Sequence, residues 1–211
     1  MKNIQLITGI HGDERMPILA LVSVGVDQLI ANKQALAINK RFVEKDMNAS
    51  FGTKGNSHEE KEARKLLRKI DKDKLVVDFH TNQSMSDPFV IIVDKKMLPL
   101  ASSLGIPRVV YMKYNVKKGH SLINYRDGVS IEVGKHDTCG SFKTTLRVLE
   151  NLKGRRKKRK VTLYKVFGKI RKPGRYVNFK KCKDGFVPLF AGKNSYNCFG
   201  LKAKILKESE L

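Results

Sequence analysis

Ile4-Gln5-Leu6-Ile7-Thr8-Gly9-Ile10-His11-Gly12-Asp13-Glu14 is an apolar run that passes straight into a turn carrying a histidine and a carboxylate three residues apart. The run reads as a buried strand, and Gly9 and Gly12 permit a sharp bend at its carboxyl end. From such a turn an imidazole nitrogen and a carboxylate oxygen can address one divalent ion. An ordinary polar turn after a strand has the same spacing, so the pair takes its meaning from the rest of the chain.

Strand-like and helix-like segments alternate over the first 150 residues, which is the α/β rhythm. Met16 to Ile30 reads as a helix with Pro17 near its start, and Ala35 to Asn39 as a second short strand. Ser57-His58-Glu59-Glu60 opens a helix with a serine N-cap and a glutamate three positions on, followed by Leu66, Leu67 and Ile70 at helical spacing. Leu75 to Phe79 and Phe89 to Val93 are nearly continuous apolar runs, as in strands covered on both faces. Ile131 to Gly134 reads as a further strand end, and Ser141 to Leu152 as the last helix of the domain. The expected fold is a mixed, largely parallel sheet flanked by helices.

The 211 residues suffice for one full domain with a small appendage, burying roughly 70% of the unfolded surface. Apolar residues make up 41% of the chain, with 10 Phe and 6 Tyr, so a globular core is expected. No apolar stretch approaches the roughly 20 residues of a membrane span, and Met1-Lys2-Asn3-Ile4 runs into a strand pattern, not a signal peptide. A cytoplasmic protein without membrane partners is expected. Cys139, Cys182 and Cys198 are odd in number and widely spaced, which argues against a disulfide framework or a cysteine zinc site. They are expected to be reduced and mostly in the core.

A net charge of +23 is concentrated at the carboxyl end. Residues 153 to 211 hold 19 Lys and Arg against 3 Asp and Glu, whereas residues 1 to 152 hold 24 against 17. Gly154 followed by Arg155-Arg156-Lys157-Lys158-Arg159-Lys160 marks a boundary, because like charges at this density repel. Two units follow, 1–152 and 153–211. The second is a small β-rich subdomain, with strand-like pieces at Thr162 to Phe167, Arg175 to Phe179 and Leu201 to Ile205. Its charge would attract polyanions or anionic small molecules.

A catalytic zinc site takes three protein ligands and leaves one position open. His80 is the third candidate beside His11 and Glu14, because Val76-Val77-Asp78-Phe79-His80 also ends a buried strand, and parallel strands bring their carboxyl ends together. Asp78, two residues earlier on the same face, could orient its ring.

The ordered motifs Gly9-Ile10-His11-Gly12-Asp13-Glu14, Asn39-Lys40-Arg41, Asp46-Met47-Asn48, Asp78-Phe79-His80-Thr81 and Ile131-Glu132-Val133-Gly134 resemble the succinylglutamate desuccinylase and aspartoacylase family of the zinc carboxypeptidase superfamily. The resemblance spans residues 4 to about 150, with a weaker echo at Val187-Pro188-Leu189-Phe190-Ala191-Gly192. It implies a zinc-carboxypeptidase-like fold and hydrolysis of an amide between an acyl group and an amino acid. It also implies one Zn2+ per chain on His11, Glu14 and His80, with Glu132 as general base and acid. Arg41 matches the arginine that stabilises the tetrahedral oxyanion, a contribution of about 3 kcal/mol or more. Asn48 matches a residue on the substrate carboxylate.

Where the family pattern is Asp-Leu-Asn-Arg, this chain has Asp46-Met47-Asn48-Ala49. Losing the second arginine should weaken binding of a free carboxylate by roughly ten- to a hundredfold unless another cation replaces it. Arg126 is the substrate-binding candidate for that task, with Lys117, Lys118 and His120 near it in sequence. The expected substrate is a small anionic acyl-amine, drawn in by the basic region. A carboxypeptidase acting on short peptides is a variant reading that Ala49 disfavours. The competing class is a nucleic-acid-binding protein on a hydrolase scaffold, using residues 153 to 183 with Tyr164, Phe167, Tyr176 and Phe179 among lysines. Retention of His11, Glu14, His80 and Glu132 together favours the enzyme.

Overall fold

The computed structural model describes residues 3–83, 87–113, 119–154, 160–192 and 198–206. Among them, one sheet contains β1 (Ile4–Thr8), β2 (Leu29–Ile30), β3 (Leu75–Asn82), β4 (Phe89–Ile92), β5 (Arg108–Tyr111), β6 (Gly128–Lys135), β7 (Thr162–Lys169), β8 (Val187–Leu189) and β9 (Leu201–Ile205). Its order is β2-β1-β3-β6-β4-β5-β7-β9-β8. Neighbours are parallel except β4 with β6, β7 with β9 and β8 with β9, so the sheet is mixed and largely parallel, as the α/β rhythm predicts. The helices are α1 (Met16–Ser23), α2 (Lys33–Ala37), α3 (His58–Lys69), α4 (Leu98–Ser103) and α5 (Cys139–Leu152).

Strand alternation sorts the central residues into two layers. Val77 and Phe79 of β3 join Val129, Ile131 and Val133 of β6 in a core that also takes Leu21 of α1, Ala101 of α4 and Val148 of α5. Val76 faces the other way, into a core with Ile7, Met47, Phe51 and the α3 residues Ala63 and Leu66. By the period of two, Asp78 and His80 on β3 lie on the α3 face, as do Ser130 and Glu132 on β6. The β3–β6 register sets Asp78 opposite Ser130 and His80 opposite Glu132. Removing a ring such as Phe79, which has no exposed surface, typically costs about 3–5 kcal/mol.

Several local readings are corrected. The helix expected over Met16 to Ile30 stops at Ser23; Gly25 follows in the left-handed region at φ +63°, and Leu29–Ile30 pairs with β1 as an edge strand. The strand expected at Ala35 to Asn39 is the short helix α2, because Asn32 accepts from the Ala35 amide at 3.2 Å and caps it. Arg175 to Phe179 is not a strand: it follows Pro173 and Gly174 and ends at Phe179 with φ +63°. The Phe179 ring instead packs edge-on to Phe89 and Tyr164 at 5.2 and 5.1 Å. The capping box at Ser57 and Glu60 forms as predicted. The three cysteines are free, but only Cys198 is buried, Cys139 being exposed and Cys182 half-buried.

β7, β9 and β8 extend the sheet beyond β5. The basic run at 155–159 lies outside the described residues. Two of the four aromatics in the basic region are poorly placed to stack on bases: Tyr164 is buried and Phe179 is half-buried in the sheet's own ring cluster. No described helix is long and apolar enough to cross a membrane.

Candidate active site

The turn after β1 works as the glycines suggest, each by a different route. Gly9 takes φ +64°, whereas a Cβ on Gly12 would sit 2.1 Å from the Ala35 carbonyl carbon, so only glycine lets the turn lie against α2. The result turns His11 and Glu14 inward, 3% and 2% exposed. His11 Nδ1 lies 2.8 Å from Glu14 Oε1, and His80 Nδ1 lies 2.9 Å from Glu14 Oε2. The Thr81 amide donates to Oε2 at 3.1 Å. One ligand atom from each of His11, Glu14 and His80 falls within 4.8 Å of the others, forming a buried candidate metal cluster.

Each imidazole is also held from behind. His80 Nε2 is 2.7 Å from Asp78 Oδ2, which accepts from Ser130 Oγ at 3.0 Å. His11 Nε2 is 3.0 Å from Asp46 Oδ1. With each Nε2–H donated to a carboxylate, both Nδ1 lone pairs point toward Glu14, and that arrangement calls for a cation at their focus. Two imidazoles and one carboxylate suit zinc. Without a metal, burial opposes ionisation of Glu14, but the imidazoles of His11 and then His80 outweigh it and hold the carboxyl well below its ordinary range. Burial likewise opposes charge on His80, yet Asp78 and then Glu14 hold its pKa well above the usual value. A bound cation would take the place of that proton.

Two elements bring the remaining residues in. Glu132 borders the same cleft as His80 and accepts from Asn82 Nδ2 at 3.3 Å. Arg41 reaches Glu14 Oε1 and Asp46 Oδ2, each at 3.4 Å. Asn48 sits in a 3-10 turn at Met47–Ala49, and its amide donates to Asp46 Oδ1 at 2.9 Å. The Asn48 side chain lines the cleft, where its Oδ1 is buried with no hydrogen-bond partner among the described residues.

Arg126 is not brought to the site. Its guanidinium donates to the Leu67 carbonyl at 2.5 Å and the Tyr125 carbonyl at 2.8 Å, tying the turn before β6 to α3. His120 stands against the Phe51 carbonyl at 2.8 Å, and Lys117 and Lys118 lie outside the described residues. Reading by motif left Asp46 without a role and passed over Ser130 and Asn82, although strand alternation from His80 and Glu132 could have found both. It also passed over Glu59. That carboxylate, fully buried, accepts from the amides of Val43 at 2.6 Å and of Glu44 and Lys45 at 3.1 Å, and from Asn32 Nδ2 at 3.0 Å. Burial works against its ionisation, and these donors, Val43 first, more than offset it and lower its pKa.

The succinylglutamate desuccinylase/aspartoacylase catalytic domain matches residues 1–152. The chain belongs to this family. A search among curated proteins gives no match. Among solved structures, succinylglutamate desuccinylase from Chromobacterium violaceum aligns with a TM-score of 0.73 at 18% identity, covering 97% of this chain and 84% of that one. Murine aminoacylase 3 aligns with a TM-score of 0.71 at 15% identity, covering 97% and 95%. The product-bound ectoine utilization protein EutE (DoeB) from Ruegeria pomeroyi gives 0.63 at 18% identity, covering 80% and 65%. These likenesses extend the shared fold past residue 152. A hydrolase of the succinylglutamate desuccinylase/aspartoacylase type, carrying a candidate His/Glu metal cluster, is therefore the family-level description of this chain.

Proposed function

We propose that this family member is a zinc-dependent amidohydrolase that removes an acyl group from a small amine or amino acid. The observation that carries the reading is the convergence of His11, Glu14 and His80 on one point, with Glu132 opposite His80 at the edge of an open cleft. His11 and His80 through Nδ1, and Glu14 through its carboxylate, would hold the ion. Zinc supplies Lewis acidity there, toward water and toward the amide carbonyl.

The chain's own residues do the rest. Glu132 takes a proton from water and delivers it to the leaving nitrogen, and Asn82 fixes the carboxylate that moves it. Arg41 offers N–H groups beside Glu14, where negative charge on the carbonyl oxygen would develop. Asp46 and Asp78 keep the two rings from turning.

Elemental analysis of native protein tests the reading. About one zinc per chain is expected, falling to background in His80→Ala, and native protein that takes up no zinc overturns it. With zinc restored, N-acyl amino acids should be hydrolysed, and an inactive zinc-loaded protein excludes the amidohydrolase.

A further inference from the structure

The cleft bordered by Glu132 is small, about 60 Å3. One water occupies about 10–15 Å3, so the space suits a short chain of a few non-hydrogen atoms. Much of its wall is aliphatic: Ile91 from β4, Val93 just beyond it, Met112 after β5, and Ile123. Asn48 and Asn124 add neutral amides. Among the described residues no Lys or Arg lines it. Ala49 follows Asn48, and Arg126 donates to the Leu67 and Tyr125 carbonyls instead. A carboxylate entering this space would lose its water to an aliphatic wall and stand near the carboxylate of Glu132.

Resting on the amidohydrolase reading above, we propose that the cleft selects a short, uncharged aliphatic group of about three to five carbons next to the scissile amide, and rejects a carboxylate-bearing group of equal length. Aliphatic carbon fills the contacts that Ile91, Val93, Met112 and Ile123 offer, and the Asn48 and Asn124 amides are left to orient the polar amide itself. This departs from the anionic substrate that the charge of the chain suggests. The basic excess lies mainly on residues 153–211, not in the cleft wall.

The test uses the full zinc-loaded chain and two matched pairs of substrates. N-pentanoyl- against N-succinyl-alaninamide probes the acyl side; N-acetyl-norvaline against N-acetyl-aspartate probes the amine side. A kcat/KM about a hundredfold higher for the aliphatic member of one pair is expected, and that pair identifies which side enters the cleft. Equal rates in both pairs, or a preference for the carboxylate in either, overturn the proposal. Ala49→Arg and, separately, Met112→Arg should each move the preference toward the carboxylate by about tenfold; two well-folded variants that leave it unmoved also overturn it. If no amide is hydrolysed, the amidohydrolase reading fails by itself. Calorimetric titration with pentanamide and succinamate then still reads the cleft, with pentanamide the tighter ligand if the proposal holds and succinamate the tighter if it does not.

Discussion

His11 and His80 face the same carboxylate but are supported by different kinds of structure. His80 belongs to the strand-borne half of the site, where β3 and β6 supply Asp78, Asn82, Ser130 and Glu132 at positions fixed by sheet register. His11 belongs to the loop-borne half, where Asp46, Arg41 and Asn48 come from a segment with no strand beneath it. That segment is held by the fully buried Met47 and by three amides gathered on Glu59. The strand half gains its accuracy from backbone pairing, and the loop half borrows it from helix α3.

The largest effect should fall on the strand half. Glu132→Gln should keep zinc and lose about 10²- to 10⁴-fold in the rate of amide hydrolysis; unchanged turnover would exclude this residue as the proton carrier. Next come the two ring supports. Asp78→Ala and Asp46→Ala should each weaken zinc binding by about 10- to 100-fold in competition with a chelator. Asp78→Ala should cost more stability than Asp46→Ala, about 1–3 kcal/mol, because Asp78 is fully buried and its loss strands both His80 and Ser130, whereas water can replace the partly exposed Asp46. Equal stability losses in the two variants would erase the distinction between the halves.

Glu59→Gln tests the borrowing directly. It touches neither histidine, yet it should weaken zinc binding by severalfold through Asp46 while leaving the β3–β6 side intact. Zinc affinity equal to that of the unaltered protein would show that the loop does not depend on Glu59 for its place. The smallest effect belongs to Glu60, whose pKa is lowered to about 2 by Lys45 and by the Ser57 side chain and amide. A depressed folded-state pKa stabilises the native state above the unfolded value and loses that stabilisation as pH falls through about 2. Glu60→Gln should therefore melt below the native protein at pH 6, and the gap should close toward pH 2.

The same division explains what could be read from sequence. Gly9 to Glu14 and Asp78 to Thr81 announce themselves because strand ends place residues by simple alternation. The helix at Lys33–Ala37 reads as a strand in sequence because five residues carry too little periodicity, and its cap, Asn32, lies ahead of the strand-like stretch Ala35 to Asn39. Asp46 stood in plain view within a motif, but its contact with His11 crosses 35 residues of chain and has no local signature. Arg126 shows the converse. Its charge and its place before Glu132 suggested a substrate contact, whereas the free carbonyl of Leu67 near the carboxyl end of α3 gave the guanidinium a closer partner. β8 was legible only as a faint family echo, since Val187-Pro188-Leu189 is too short to show a period.

Glu59 also turns the loop-borne half into its own reporter. The amides of Val43 and Lys45 donate to a side chain on α3, so they can exchange hydrogen for deuterium only when the loop lifts off that helix. Their exchange rates measure, residue by residue and with neither ion nor substrate present, how often the loop that carries Asp46 lifts off α3.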